Sequence, residues 1–201
     1  MDPLARHPVL WHVAFTESWP SIQEHGLLSA AAIVKRWQVP ADQADQLLAQ
    51  RRPEIVRLEH PVHGVAVLRD QAPIQESRLQ SDLRDGMTVE DWFRLLNSFV
   101  FLYPTEEGAR QLAEKYSEQA DVTLLRLRTS SLLNEYRSTL RLTSINTGAT
   151  RFSVPRGRAT FSSVNGFRKD RVAEVAVQEQ VYDLDAHLLS VEHLPQQVAA
   201  E

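Results

Sequence analysis

The apolar positions of the chain fall into short alternating or continuous runs separated by helical periodicities. Residues 10–29 read LWHVAFTESWPSIQEHGLLS. Leu10, Trp11, Val13 and Phe15 predict a strand, with His12 set in its middle. Trp19, Ile22 and Gln23 follow a Ser-Trp-Pro start, and His25-Gly26 supplies a stop, so a short helix and a glycine turn come next. Ala30 to Arg51 carries helical patterning through Ile33, Val34, Trp37, Leu47 and Leu48, broken at Val39-Pro40. From Arg52 to Pro73 the signals change to an irregular loop leading into a strand or turn around Val65–Leu68.

A Thr88-Val89-Glu90-Asp91 start predicts an amphipathic helix through Leu96, then a strand over Ser98–Tyr103 and a helix opening at Thr105. The last third is strand-rich, with VTLLRLRT, YRSTLRLTSI, RATFSSV and VAEVAVQEQVYDL separated by turn signals at Asn146-Thr147-Gly148 and Asn165-Gly166. Helices concentrated in the N-terminal half and strands in the second predict an α+β fold with mixed, mainly antiparallel sheets.

Composition sharpens this picture in three ways. The 201 residues, 43% of them hydrophobic, suit a single domain over residues 1–201. No apolar run approaches the roughly 20 residues of a membrane span and the N-terminus does not read as a signal peptide, so a soluble, cytoplasmic protein with no membrane partner is expected. With no cysteine, catalysis would rest on His, carboxylates, hydroxyls or Arg. The net charge of -4 argues against a uniformly basic surface, yet residues 126–171 hold ten basic residues against two acidic ones, a local +8. That stretch is either a solvated surface or a site for an anionic ligand such as DNA or RNA.

Several residues carry candidate chemistry. On VAEVAVQEQV, Glu174 shares a face with Val172, Ala176 and Gln178, opposite Ala173, Val175 and Val177. If the second face enters the core, Glu174 projects into a cleft; otherwise it is an exposed strand carboxylate. His12 has the same two readings, a core histidine or a functional one. In TSINTGATRFSVPRGRATF, Asn146 and Thr147 offer hydrogen bonds beside Gly148, while Arg151, Arg156 and Arg158 could bind phosphate of a substrate. Asn97 and Ser98 either line the same cleft or serve as a cap. No HExxH pair, calcium loop, P-loop or GxGxxG is present, and no metal is expected at His60 and His63.

The opening segment resembles that of ADP-ribosyltransferases of the DarT type, whose first strand carries a His and leads to a helix ending in Gly-Leu. The resemblance continues through AQRRPEIVRLEHPVHGVAVLRD, NSFVFLYPTEEGARQL and VAEVAVQEQV. It implies an ADP-ribosyltransferase-like fold around an NAD cleft. His12, Gly26, Leu27, Asn97 and Ser98 would contact NAD; Arg51 or, by preference, Arg52 would lie at the pyrophosphate and reaction centre; Glu174 would be the catalytic carboxylate. The family's aromatic-rich VPFYF segment has no counterpart after Leu68, where the chain reads RDQAPI, which leaves the acceptor open. The sequence is also similar to a group of bacterial proteins sharing HPVHG, LNS, INTGAT and PRGR, a likeness that implies no activity.

The residue types agree with the chemistry that the resemblance implies. A pyrophosphate wants guanidinium, ribose hydroxyls want hydrogen-bonding side chains, and a carboxylate stabilises the oxocarbenium-like centre formed as nicotinamide leaves. The expected activity is therefore ADP-ribose transfer from NAD to a nucleic-acid base or other nucleophile, as in a nucleic-acid-modifying toxin. An NAD hydrolase, a phosphotransferase on the same fold, and a noncatalytic nucleotide- or nucleic-acid-binding module are the alternatives.

Overall fold

The computed structural model describes residues 2–150 and 152–197, and in them the chain forms a mixed α and β structure with antiparallel sheets. In the first sheet β1 (Val9–Phe15) pairs with β6 (Val122–Arg128), whose other edge takes β11 (Leu188–Leu194). The second sheet has the order β5 (Phe99–Leu102), β9 (Glu174–Gln178), β7 (Leu140–Thr143) and β8 (Ser162–Ser163). Two further pairs flank them: the hairpin of β3 (Val56–His60) and β4 (Gly64–Leu68), and β2 (Leu27–Leu28) with β10 (Gln180–Val181).

Alternation decides which side chains meet. Leu10 of β1 and Leu125 and Leu127 of β6 share one apolar cluster with Val100 and Leu102 of β5, Leu140 and Leu142 of β7, and Val175 and Val177 of β9. The two sheets therefore bury a common core between them. On the outer side of β1, Trp11, Val13 and Phe15 pack against Ala109, Ala113 and Tyr116 of the helix Glu106–Ser117. Small residues at successive turns let that helix lie close to the strand.

The short helices after β1 follow the punctuation of the sequence. Trp19–His25 ends at Gly26, whose φ of 75° is the left-handed conformation that glycine adopts without strain. Ala30–Arg36 is capped by Ser29, which accepts from Ala32 N, and it stops before Pro40; Ala41–Ala49 follows. These two helices bury Val34, Trp37 and Leu47 against Ala66 and Leu68 of the hairpin. Val89–Asn97 begins in the expected reciprocal cap, with Thr88 Oγ1 accepting from Asp91 N and the Asp91 carboxylate accepting from Thr88 N. It buries Trp92, Phe93 and Leu96 against Phe99, Phe161 and Ala176.

Two expectations need correction. Residues 56–60, expected as irregular loop, form a strand that pairs as a hairpin with the expected strand at 64–68, because the alternation of VRLEH was hidden by its charges and by Pro61. RATFSSV is a 3₁₀ turn at Arg158–Thr160 and a two-residue strand, not a full strand. Helices are concentrated in the first half, as expected, and beyond the helix Glu106–Ser117 two more join the strands: Thr129–Tyr136 follows β6 directly, turning Leu132 and Tyr136 into the core at i and i+4, and Leu184–His187 precedes β11. Among the described residues no helix is long and apolar enough to cross a membrane.

Gly26 offers a direct test of this architecture. A Cβ at this position would lie 2.1 Å from Val181 O and 2.8 Å from Tyr182 Cα. Both the backbone conformation and the contact with β10 therefore exclude a side chain. Gly26→Ala is expected to destabilise the protein by about 2 kcal/mol or more in urea denaturation, through strain plus displacement of the β2–β10 pair. A loss below about 0.5 kcal/mol would show that the pair moves apart freely.

Candidate functional site

The cleft opens where the two sheets part. Trp11 N donates to Tyr103 O at 2.9 Å and Tyr103 N to Trp11 O at 2.8 Å, and this single bridge joins the edge of β1 to the chain leaving β5. One step further in, the ladder stops: the carbonyl of Phe101 accepts instead from His12 Nδ1 at 2.9 Å. His12 thus satisfies with its side chain a backbone group that strand pairing would otherwise satisfy. Because a carbonyl only accepts, Nδ1 carries the hydrogen and Nε2 is left as a lone-pair acceptor. Burial, reinforced by the charge of Arg69, lowers the His12 pKa to about 4 against the opposing pull of the Phe101 carbonyl. The ring is neutral at physiological pH.

Glu174 enters from the second sheet. Val175 and Val177 point into the shared core, while Glu174 lies on the face of Ala176 and at the first position of β9. Its Oε2 accepts from Thr147 N at 3.1 Å and from Thr147 Oγ1 at 2.8 Å. Burial pushes its pKa up to about 7; the Thr147 bonds and the charges of Arg156 and Arg69 pull the other way without cancelling it. The Thr147 turn is itself held from behind, since Arg156 donates from Nη1 to Thr147 O at 3.2 Å and from Nη2 to Ala149 O. Arg156 is only 2% exposed, and its guanidinium stands 5.9 Å from the Trp92 ring. The helix Val89–Asn97 therefore positions Glu174 through Arg156 and the 146–149 turn.

A third wall comes from the hairpin and the segments at its base. Arg52 is buried, donating from Nη1 to Leu47 O at 2.7 Å and to Asn97 Oδ1 at 2.8 Å, and from Nε to Arg69 O at 3.2 Å. Asn97 in turn donates to Leu48 O at 2.9 Å. Burial, then the neighbouring charge of Arg69, lowers the Arg52 pKa to about 10, so the group stays cationic. Beside it, Asp70 accepts from the Tyr116 hydroxyl and lies 3.5 Å from Lys115 Nζ. At the far end of β4, Ser21 Oγ bonds His63 O and Val65 O, and Trp37 Nε1 donates to Gly64 O.

These walls enclose a cleft of about 350 Å³, within the range of small-molecule sites. His12, Gly26, Leu27, Arg52, Asn97, Asn146, Thr147 and Glu174 all line it, drawn from six separate stretches of chain. Four residues expected there do not. Arg51 is turned away to donate to Gln71 O at 2.9 Å. Ser98 donates to Leu95 O at 2.7 Å and closes the last turn of its helix. Arg156 is buried behind the 146–149 turn, where its charge holds backbone carbonyls, and Arg158 is exposed on the 3₁₀ turn outside the cleft. Arg151 lies outside the described residues.

The structure adds Ser18, Arg69, Asp70, Tyr103, Lys115 and Tyr116 to the lining. Tyr116 falls on the same helical face as Ala109 and Ala113, so periodicity marks it only as core. The charged pair Arg69-Asp70 ending an apolar run was the one available signal. His60 and His63 stack with ring centroids 4.5 Å apart and pack with His25 and Trp37. Among the described residues no group of three or more His, Asp or Glu side chains is placed to hold a metal ion.

A family model described as a family of unknown function, DUF7002, matches residues 8–188. No curated protein and no solved structure matches the chain.

The raised pKa of Glu174 has a consequence for stability. Its folded-state value, about 7, exceeds the ordinary 4.5, so between those values the folded state holds the extra proton and stability falls as pH rises. His12 acts oppositely, contributing stability that grows as pH rises from about 4 toward 6.5. Comparing the wild type with Glu174→Gln cancels the histidine term. The variant is expected to melt about 3 °C or more above the wild type at pH 8, with the gap closing by pH 5. A gap that does not change with pH would place the carboxylate in solvent.

Proposed function

The chain belongs to the DUF7002 family, and we propose that this member transfers ADP-ribose from NAD to a nucleophilic acceptor. The observation that carries this reading is the convergence of His12 and Glu174 in one cleft, from strands of different sheets, with Arg52 in its wall. The His12 ring is neutral and presents Nε2 as an acceptor, which suits a ribose hydroxyl. Among the described residues the Glu174 carboxylate is anchored by one oxygen, Oε2. Its other oxygen is available to the ribose or to an incoming nucleophile.

The reaction breaks the bond between the ribose anomeric carbon and the nicotinamide nitrogen, and the bonding pair leaves with nicotinamide. Positive charge develops on the ribose, where a carboxylate in a low-dielectric site stabilises it most strongly. The acceptor's oxygen or nitrogen then bonds to the anomeric carbon, and its proton passes to Glu174. Arg52, with its Nη1 and Nε committed to the protein, fixes the wall that brings these groups together. A nucleobase of DNA or RNA is the acceptor favoured by charge, since Arg126, Arg128, Arg168, Lys169 and Arg171 are exposed.

Nicotinamide release from NAD tests the proposal, with single-stranded DNA, RNA and protein extract offered in parallel. Acceptor-dependent release is the expected result; release in water alone would assign hydrolysis, and binding without release a noncatalytic module. Glu174→Gln keeps the shape and removes the charge, so turnover should fall on the order of 10²-fold or more while NAD affinity by calorimetry stays nearly intact. The wild-type rate should rise with pH through about 7, as the carboxylate ionises. Unchanged turnover in Glu174→Gln would remove the carboxylate from the mechanism.

A further inference from the structure

We propose that the cleft contains a diphosphate subsite built on Arg69, and that Arg52 is a positioning residue for it. The inference rests on the nucleotide reading of the same cleft but assigns the phosphates to a residue which that reading did not use. Among the described residues, three cations line the cleft: Arg52, Arg69 and Lys115. Arg52 spends Nη1 and Nε on Leu47 O, Asn97 Oδ1 and Arg69 O. Lys115 is half exposed and faces the Asp70 carboxylate at 3.5 Å. Neither has a full set of donors to offer a ligand.

Arg69 differs from both. Its backbone carbonyl is fixed by Arg52 Nε and the residue is half-buried, yet its guanidinium makes no hydrogen bond or ion pair among the described residues. The adjacent Asp70 does not neutralise it, because that carboxylate is taken by the Tyr116 hydroxyl and Lys115. The Tyr116 ring, 6.0 Å from the guanidinium carbon, limits where the fork can swing. Arg69 lines the same cleft as His12, Arg52, Tyr116 and Glu174, and its charge acts on all four.

A second group in the cleft also lacks a partner. Ser18 Oγ is buried, at 6% residue exposure, and hydrogen-bonds to nothing among the described residues. A buried hydroxyl and a partly desolvated guanidinium without acceptors both cost free energy that an anionic oxygen-rich ligand would recover. Two neighbouring arginines call for two negative charges, and a planar fork matches phosphate oxygens two at a time. A diphosphate supplies both. A single carboxylate or an uncharged nucleoside supplies neither.

The test is calorimetric, on the whole chain, with ADP-ribose, inorganic pyrophosphate and adenosine as probes. Wild type should bind the two diphosphates, and Arg69→Gln should bind them at least about tenfold more weakly while adenosine binding and the melting temperature stay unchanged. Arg69→Lys, which keeps the charge without the fork, should recover only part of the affinity. Arg52→Gln should lower the melting temperature, the mark of a residue that holds the wall. Wild-type affinity for the diphosphates in Arg69→Gln overturns the subsite, as does a failure of wild type to bind either compound. Binding through Arg69 without any nicotinamide release from NAD would leave the subsite standing and remove the transferase reading; nicotinamide release with an unchanged KM in Arg69→Gln would do the reverse.

Discussion

The hydrogen bond from His12 Nδ1 to Phe101 O is the constraint on which the rest of the cleft depends. Two antiparallel sheets share one core, and their edge strands approach closely enough to pair at Trp11 and Tyr103. Continued pairing would close the gap and leave no cleft. A strand edge without pairing would leave a carbonyl unsatisfied in a mostly buried region, at a cost of about 1–3 kcal/mol. A histidine resolves both demands. It ends the ladder, satisfies the carbonyl, and keeps a second nitrogen for the space that it opens.

Arginines form the second tier of the design. Arg52 and Arg156 are buried, yet both bond backbone carbonyls rather than carboxylates. Each links segments that neither sheet joins: Arg52 connects the end of one helix, Asn97 of another and the base of the hairpin, and Arg156 connects the Trp92 helix to the turn beneath Glu174. A guanidinium suits this because its five donors lie in one rigid plane, where an ammonium would offer a single mobile point. The main chain of Arg156 is itself pinned, since its N donates to Asp82 O and its O accepts from Arg84 N. The carboxylate of Asp82 meanwhile accepts from Ser153 Oγ and Val154 N. The turn under Glu174 is thus fixed through a chain of contacts that begins at the end of the helix Glu76–Asp82.

Much of the framework was legible in the sequence because it follows local rules. The strand carrying His12, the stop at Gly26, the break before Pro40 and the cap at Thr88 each rest on a pattern within a few residues. The face of Glu174 was legible from alternation alone. What sequence could not show is burial of charge: Arg156 and Arg158 look alike two positions apart, yet one is a strut in the interior and the other lies in solvent. Arg52 and Arg69 present the same problem, because the distinction between a committed guanidinium and an open one arises only when distant carbonyls converge. The first strand of the hairpin was missed for a related reason, as its alternation is sound but its outward residues, Arg57 and Glu59, make it read as a loop.

The hairpin has one further property that follows from its connections. Among the described residues no backbone ladder joins β3 or β4 to either main sheet, and a two-stranded ribbon by itself is marginal in water. It is fastened by side chains gripping its main chain: Ser21 and Trp37 at the tip, Arg52 and Gln71 at the base. One wall of the cleft is therefore held by contacts other than the sheet ladders. Its amides are expected to exchange through openings that leave both sheets intact, at a free-energy cost below that of global unfolding. Whatever fills the cleft and touches that wall slows this exchange, which makes hydrogen exchange of residues 56–68 a direct gauge of occupancy.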